Sequence, residues 1–217
     1  MKIKTCFFIV ILSILSCNRE NKDKSRTKNE SFKNTNIKMK ENNIIYSSVD
    51  VNKFFKINNE TNQVELIKNS LVPEKFIAKN IEVNIKENDF EVKPEIDINY
   101  YKIKSLKLND KIIFDIIMYE IIGDNNTNII NIQLNSYDFF RNPIDKILLD
   151  CRLTFESEYH REFKLFKNNT IVIKKIAKDW LLYNESGDII GESDKPKITS
   201  QEVKYIVDEK GKFIKSE

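Results

Sequence analysis

The chain has 217 residues, and its 36 Lys and Arg residues nearly balance its 33 Asp and Glu residues, so the formal net charge is only +3. This balance excludes the strongly basic composition that is typical of nucleic-acid-binding domains. Hydrophobic residues make up 41% of the chain, which is enough for a packed core. After the opening segment, no apolar run approaches the roughly 20 residues of a membrane-spanning helix, so a polytopic membrane protein is excluded.

The opening segment has the layout of a secretory signal. Lys2 and Lys4 provide a basic start, and a short apolar core follows from Phe7 to Leu15, too short to span a bilayer comfortably. The segment ends in Ile14-Leu15-Ser16-Cys17. This motif resembles the lipobox of bacterial lipoproteins, in which an aliphatic residue lies three positions before a cysteine and a small residue lies directly before it.

The resemblance implies that residues 1–16 are a signal peptide removed by cleavage before Cys17. It also implies that the Cys17 thiol carries diacylglycerol and that the new amine usually receives a further acyl chain such as palmitate. Two or more chains make a stable anchor, because each buried methylene contributes only about 0.8 kcal/mol and a single chain binds marginally. The alternatives are an ordinary cleaved signal in which Cys17 is incidental and an uncleaved N-terminus.

Residues 17–43 are predicted to be the lipidated cysteine and a polar tether. Residues 18–43 contain eight basic and four acidic residues and almost nothing apolar, a composition typical of disorder. As a flexible chain, this stretch would span roughly 25 to 30 Å. The residue after the cysteine is Asn18 rather than Asp, so the inner-membrane retention signal familiar from enteric lipoproteins is absent. We therefore expect a lipid-anchored protein of the bacterial cell envelope, in the outer membrane and facing the periplasm.

Residues 44–217 are predicted to form a single globular β-rich domain, which is mildly acidic because it holds 26 basic and 29 acidic residues. Two short helices are expected at its front. In the first, Asp50 caps a turn that carries Val51, Phe54 and Phe55. In the second, Asn62 and Glu65 make a capping-box-like start before Val64, Ile67 and Leu71, and Pro73 ends the helix.

Apolar residues then recur with the period of two that is typical of strands. Ile81, Val83 and Ile85 form one such run, and Ile130, Ile132 and Leu134 alternate with Asn131 and Gln133, so each run predicts a strand with one solvated face. The nearly continuous apolar run 111–122 predicts a central strand covered on both sides.

Tight turns join the later runs, so neighbouring strands must be antiparallel. The predicted class is α+β, dominated by β: short N-terminal helices followed by a curved antiparallel meander sheet or a partly open barrel. The meander strands are expected near 145–157, 158–167, 170–183, 202–208 and 212–215.

The only histidine, His160, shares a strand face with Glu158 and Glu162. A histidine with two carboxylates can act as a general base or as half of a metal site, but one histidine cannot build the familiar two- or three-histidine zinc sites. We favour a solvated face with cross-strand ion pairs to Lys164, Lys174 or Lys178.

Other candidate groups favour no chemistry. Cys151 lies in the apolar register of a strand and is predicted to be a buried small hydrophobe, with no cysteine partner once Cys6 leaves and Cys17 is alkylated. The carboxylate pairs Asp89 with Glu91 and Glu95 with Asp97 are interpreted as solvated faces. Only four glycines occur, without the glycine-rich loop that cradles phosphate. We therefore predict no nucleotide or nucleic acid partner, no cofactor, no metal site and no catalytic residue.

The aromatic loop around residue 140 is the best candidate surface, comprising Tyr137, Phe139, Phe140 and Arg141. The leading hypothesis is a non-enzymatic binding or interaction module, held at the membrane by the lipid on Cys17, that engages an envelope protein. One alternative is a carrier with a sheet-enclosed cavity for a lipid or small apolar ligand. The other is a hydrolase that uses His160 and nearby carboxylates.

Overall fold

The computed structural model describes residues 43–60, 63–67, 71, 73–74, 83–91, 98–123, 126–154 and 157–216. All of these residues belong to one compact unit, Met39–Glu217. The predicted signal peptide, Cys17 and the tether as far as residue 42 lie outside the described residues, as do Asn62, Ile81, Glu95 and Asp97.

The front of the domain contains less helix than the sequence predicts. Strand β1 (Ile44–Ser47) leads into a four-residue helix α1 (Ser48–Val51) and a 3-10 turn (Asn52–Phe54). Ser47 is the N-cap, because its backbone N–H and its hydroxyl both donate to the Asp50 carboxylate, at 2.7 and 3.0 Å. The predicted cap at Asp50 is therefore wrong: Asp50 lies inside α1, as the acidic partner of the capping box.

The second predicted helix is also wrong, because its residues form a β-hairpin. Strand β2 (Phe55–Ile57) pairs with strand β3 (Val64–Leu66), and Phe55 lies opposite Leu66. The pairing turns both Val64 and Leu66 into the apolar core, where they are at most 8% exposed. Burial of these two side chains at a spacing of two outweighs the weak local preference for a helix.

The remaining strands form one large sheet. Strands β6 to β13 follow one another as an antiparallel meander, so the predicted β-dominated antiparallel architecture is confirmed. The short strands β4 and β5 and strand β1 add to it at three other places. The bounds are β4 Pro73–Glu74, β5 Ile85–Lys86, β6 Tyr100–Lys107, β7 Ile112–Ile122, β8 Asn128–Asp138, β9 Pro143–Thr154, β10 Ser157–Phe166, β11 Thr170–Tyr183, β12 Ile189–Val207 and β13 Phe213–Ser216.

The sheet folds back on itself between β9 and β10. These strands pair at Thr154 with Glu158 and at Leu153 with Tyr159; elsewhere β9 pairs with β5 in parallel and β10 pairs with β1. The two layers that result enclose one apolar cluster, in which the Phe114 and Phe213 rings lie 6.0 Å apart. The described strands run from β4 to β13 without closing into a barrel. The prediction left open a curved meander sheet or a partly open barrel, and the described strands form an antiparallel sheet that is not closed into a barrel.

Strands β7 and β8 are buried on both faces. This confirms the prediction for 111–122, but the predicted solvated face of β8 is wrong. Asn131, Gln133 and Asn135 are at most 1% exposed, although they alternate with the core residues of the strand. Alternation of polar and apolar residues shows which side chains share a face of the strand, but it does not show whether that face is exposed. Here the polar face belongs to a second buried layer, which includes Tyr100 and Tyr119.

Strand β12 is much longer than predicted, because it begins at Ile189 rather than near residue 202. Its first part pairs with the end of β11 in a hairpin that we call the arm, residues 176–200, of which residues 176–179 also pair with β10. The arm carries Pro196 and many charged residues, which hide the strand pattern in the sequence but are tolerated at a sheet edge.

Candidate interaction surface

The turn between β8 and β9 presents two phenylalanines to solvent. The Arg141 N–H donates to the Asp138 carbonyl at 3.0 Å, which closes a β-turn with Phe139 and Phe140 at its two central positions. Central turn residues project away from the hairpin, and these side chains are 66% and 80% exposed. Their rings meet edge to face, with centroids 5.6 Å apart. We call this feature the aromatic tip, Phe139 and Phe140.

The aromatic tip is held by a dense set of contacts. The Asp138 carboxylate accepts hydrogen bonds from the Asn142 backbone N–H and side-chain amide, each at 2.8 Å. These bonds with Asn142 lower the pKa of Asp138. Arg141 adopts a positive φ of 65°, the left-handed conformation that closes hairpin turns of this length. The tip is thus a built structure in which exposure of both phenylalanines follows from the turn geometry.

Arg141 links the tip to the sheet below. Its Nη1 donates to Oδ2 of Asp115 at 2.6 Å, and the other carboxylate oxygen of Asp115 accepts from the Ser105 hydroxyl at 2.6 Å. The guanidinium also lies over the Tyr137 ring, 5.7 Å from its centroid. Arg141 remains 47% exposed, so it fixes the turn while leaving part of its charge at the surface.

A buried row of polar side chains supports Tyr137 from beneath. The Tyr119 hydroxyl donates to Gln133 at 3.0 Å, the Gln133 amide donates to Asn135 at 2.5 Å, and the Asn135 amide donates to the Tyr137 hydroxyl at 3.0 Å. Burial raises the pKa of Tyr119 well above its usual range. Satisfied buried networks are rigid, so this row gives the tip a fixed base.

The four residues predicted as a surface thus divide into two groups. Phe139, Phe140 and Arg141 lie at the exposed turn, whereas Tyr137 is 7% exposed and belongs to the buried row. Alternation predicts this difference, because Tyr137 is the last residue of the buried face of β8 and the two phenylalanines follow the strand end.

A second polar feature, which the sequence analysis missed, lies against the inner face of β10 to β13. The segment 85–91, which we call the strap, places Glu87 against Lys175 at 2.7 Å, Lys215 at 3.1 Å and the Tyr205 hydroxyl at 2.5 Å. Its Asp89 lies 2.6 Å from Lys175 and 3.0 Å from Arg161. Glu87 has a positive φ of 57°, a conformation that nothing in the local sequence predicts for a glutamate.

Arg161 is the centre of this ion-pair cluster and is fully buried. Its guanidinium donates to the backbone carbonyls of Leu148 at 3.0 Å and Glu87 at 2.8 Å, and to the Tyr159 hydroxyl at 2.9 Å. Because these acceptors come from β9, β10 and the strap, Arg161 ties three elements together. The cluster is therefore explained as a clamp that holds the strap in place.

The cluster also sets the charge of Glu87. Burial by itself would raise the pKa of this carboxyl, but hydrogen bonds from Lys175, Tyr205 and Lys215 and the Lys175 charge outweigh it and lower the pKa to about 2. Glu87 is thus ionised at neutral pH, as its three donors require.

His160 lies on the outer face of β10, opposite in direction to Arg161. Its Nδ1 is 3.3 Å from Oε1 of Glu158, which also lies 2.9 Å from Lys178 across the strand pair. Glu162 is exposed on the same face. Within the described residues, no group of three or more His, Cys, Asp or Glu side chains is arranged to hold a metal ion. These contacts match the favoured interpretation of a cross-strand ion pair, and the hydrolase hypothesis stays a prediction.

Cys151 and Asn131 lie opposite each other on β9 and β8, in the buried polar layer. Cys151 is fully buried, as predicted, and burial raises the pKa of its thiol to about 12. Asn131 is also fully buried, and neither its amide nitrogen nor its amide oxygen has a hydrogen-bond partner among the described residues.

Comparison of the chain with protein-family models, with curated proteins and with solved structures finds no match. None of the helices in the described residues has the length and apolar character needed to cross a membrane.

Proposed function

We propose that the chain is a bacterial envelope lipoprotein, anchored through lipid on Cys17, that acts as a non-enzymatic interaction module. The anchor is supported by the residues of the lipobox-like motif, Ile14 to Cys17, which follow a basic start and a short apolar core. The expected location is the outer membrane, because Asn18 rather than Asp follows the cysteine. The periplasmic face is expected because Glu20 and Asp23 are separated by Asn21 and Lys22 and form no acidic cluster behind the cysteine.

The aromatic tip is the observation that carries the interaction role. Two large apolar side chains, 66% and 80% exposed, stand on a turn that is fixed by Asp138, Asn142 and Arg141. Leaving both in water costs free energy that a partner surface would recover, at about 25 cal/mol for each Å² covered. A rigid aromatic anchor also loses little conformational entropy on binding.

The lipid anchor is tested by determining whether Cys17 is the mature N-terminus and whether it carries lipid. Mass spectrometry of the membrane-extracted protein is expected to show a mature N-terminus at Cys17 that carries diacylglycerol and an acyl chain. The Cys17→Ser variant is expected to retain residues 1–16 and to lack lipid. An unmodified thiol in the wild-type protein would overturn the anchor.

The interaction role is tested by a photoreactive residue placed at Phe140 in the anchored protein. Cross-linking to a component of the envelope is expected there, and the matched control is the same residue at Ile198, which is 61% exposed on the arm. Equal cross-linking at the two positions would remove the argument for a specific surface.

A further inference from the structure

Four turns of the domain lie at one end of the molecule. Residues 108–111 and 139–142 are neighbours because Ile112 pairs with Asp138. Residues 208–212 reach the same place, since a Cβ on Gly211 would lie 2.6 Å from the Ser136 hydroxyl oxygen. Residues 167–169 join them, because the Val207 N–H donates to the Asn169 carbonyl at 2.9 Å. We call these four turns the turn end.

The chain enters the described domain at the turn end. The Lys167 N–H donates to the Asn43 carbonyl at 2.9 Å, and Ile44 pairs with Phe166, the last residue of β10. Asn43 is the first described residue. The segment that precedes it, which includes Cys17, is therefore attached at the same end as the aromatic tip.

The charge of the turn end differs in sign from that of the domain. Residues 44–217 hold 26 basic and 29 acidic residues. Among the residues of the four turns, the basic side chains outnumber the acidic ones, five to three: Lys111, Arg141, Lys167, Lys210 and Lys212, against Asp110, Asp208 and Glu209. A basic rim around exposed aromatic side chains is the pattern of proteins that lie on an anionic bilayer surface.

We infer that the turn end is a second membrane contact, in which Phe139 and Phe140 insert into the interface of an anionic bilayer while the basic rim meets the lipid headgroups. The inference rests on the proposed function, because lipid on Cys17 is what brings the domain to the bilayer. It names lipid, rather than a protein, as the partner of the aromatic tip.

Shape and attachment both favour a bilayer. The tip is a convex point made by two side chains on one turn, which suits insertion between headgroups. The chain enters the described domain beside it at Asn43, so the covalent connection to Cys17 begins at this end. The turn end is thus the part of the domain held nearest the lipid.

The experiment uses the full lipidated chain in vesicles of phosphatidylcholine and phosphatidylglycerol with brominated acyl chains. Trp180 is the only tryptophan, so Trp180→Phe gives a silent background into which Phe140→Trp is introduced. The matched control is Ile198→Trp on the arm, which is 61% exposed in the native protein. Bromine is expected to quench the residue-140 emission about twofold or more and to leave the residue-198 emission unchanged.

Vesicles of phosphatidylcholine alone are expected to give weaker quenching at position 140, because the basic rim then has no anionic partner. If Phe140→Trp disturbs the far-ultraviolet circular dichroism, Phe139→Trp gives the same readout from the neighbouring position. Equal quenching at 140 and 198 in protein with a lipidated Cys17 would overturn the membrane contact and leave the anchor standing. If mass spectrometry instead finds an unmodified Cys17, the proposed function fails, and quenching by added vesicles still decides the membrane contact.

Discussion

Glu87 shows how one residue links stability to pH. Its carboxylate accepts hydrogen bonds from Tyr205 and Lys215 and pairs with Lys175, and its folded-state pKa is about 2 instead of the ordinary 4.5. A carboxyl with a lowered folded-state pKa stabilises the protein fully above its unfolded-state pKa. That contribution is lost as the pH falls from about 4.5 towards 2.

We therefore expect Glu87→Gln to lower the free energy of unfolding by roughly 2 to 3 kcal/mol at pH 7. The difference from wild type should shrink steadily as the pH is lowered from about 4.5 to about 2.5. Urea unfolding at a series of pH values measures it, with Glu162→Gln on the exposed outer face of β10 as the control. A difference that stays constant between pH 7 and pH 3 would contradict the role given to the Glu87 charge.

Asn131 gives the opposite expectation, because its buried amide has no hydrogen-bond partner in the part of the chain that the structure describes. An unpaired buried amide costs free energy, so Asn131→Leu is expected to raise the free energy of unfolding by about 1 kcal/mol. Asn135 lies on the same face of β8 but is bonded to Gln133 and Tyr137, so Asn135→Leu is expected to lower it by about 1 to 3 kcal/mol. Denaturant unfolding of both variants measures these changes in the free energy of unfolding. Destabilisation by Asn131→Leu would show that the amide is used.

At the scale of the element, the turn between β12 and β13 depends on a glycine. Gly211 has a φ of +82°, and an added Cβ would meet the Ser136 hydroxyl oxygen at 2.6 Å and Ile112 at 3.0 Å. Gly187, in the arm turn, has nearly the same φ of +84°, but an added Cβ would meet no atom of the other described residues within 4 Å, apart from its chain neighbours. Alanine substitutions at the two positions therefore distinguish the cost of backbone strain, which both share, from the cost of steric overlap at Gly211.

Gly211→Ala is expected to destabilise the protein more than Gly187→Ala does. Both variants incur backbone strain of about 1 kcal/mol, and Gly211→Ala adds about 1 to 3 kcal/mol of overpacking. Thermal unfolding of both variants, followed by circular dichroism, makes the comparison. Equal destabilisation would mean that the turn end can shift away from β7 and β8 at little cost.

Elements could be predicted from the sequence where a local pattern and the tertiary contacts agree. The run 111–122 and the strand 170–183 fulfil this condition, and the structure places β7 and β11 there. Val64 and Leu66 do not fulfil this condition. The capping-box-like start favours a helix locally, whereas the hairpin is stabilised only by burial of these side chains in the folded core. The start of β12 was not predicted for the same reason. Pro196 and the charged residues around it give no local strand pattern, and this segment becomes a strand only because it pairs with β11.

The candidate surface was predictable to a similar extent. A turn with adjacent phenylalanines is visible in the sequence, and its exposure follows from the end of strand β8. The ion-pair cluster was not predictable, because Glu87 and Lys215 are 128 residues apart in the chain. Their contact depends on the folding of the sheet between β9 and β10, which brings the strap against β11 to β13.

At the scale of the whole molecule, the two ends of the sheet have different roles in our proposal. The turn end carries the aromatic tip and the attachment of the preceding chain at Asn43. The greater part of the arm, residues 180–196, extends from the opposite end, beyond the last pair between β10 and β11 at Ser157 and Asp179. A domain that rests on the bilayer by its turn end therefore directs the arm away from the membrane.

This orientation predicts a difference in lysine reactivity that needs no variant. Lys111, Lys167, Lys210 and Lys212 lie at the turn end, whereas Lys195 and Lys197 lie on the arm, and all six are exposed in the domain itself. In the lipidated protein, a membrane-impermeant acylating reagent is expected to modify the turn-end lysines about threefold more slowly in anionic vesicles than in zwitterionic ones, because anionic headgroups hold them at the surface. The arm lysines should react at the same rate in both, as peptide mass spectrometry can measure. Slowing at all six positions would indicate a domain that lies along the bilayer instead of standing on its turn end.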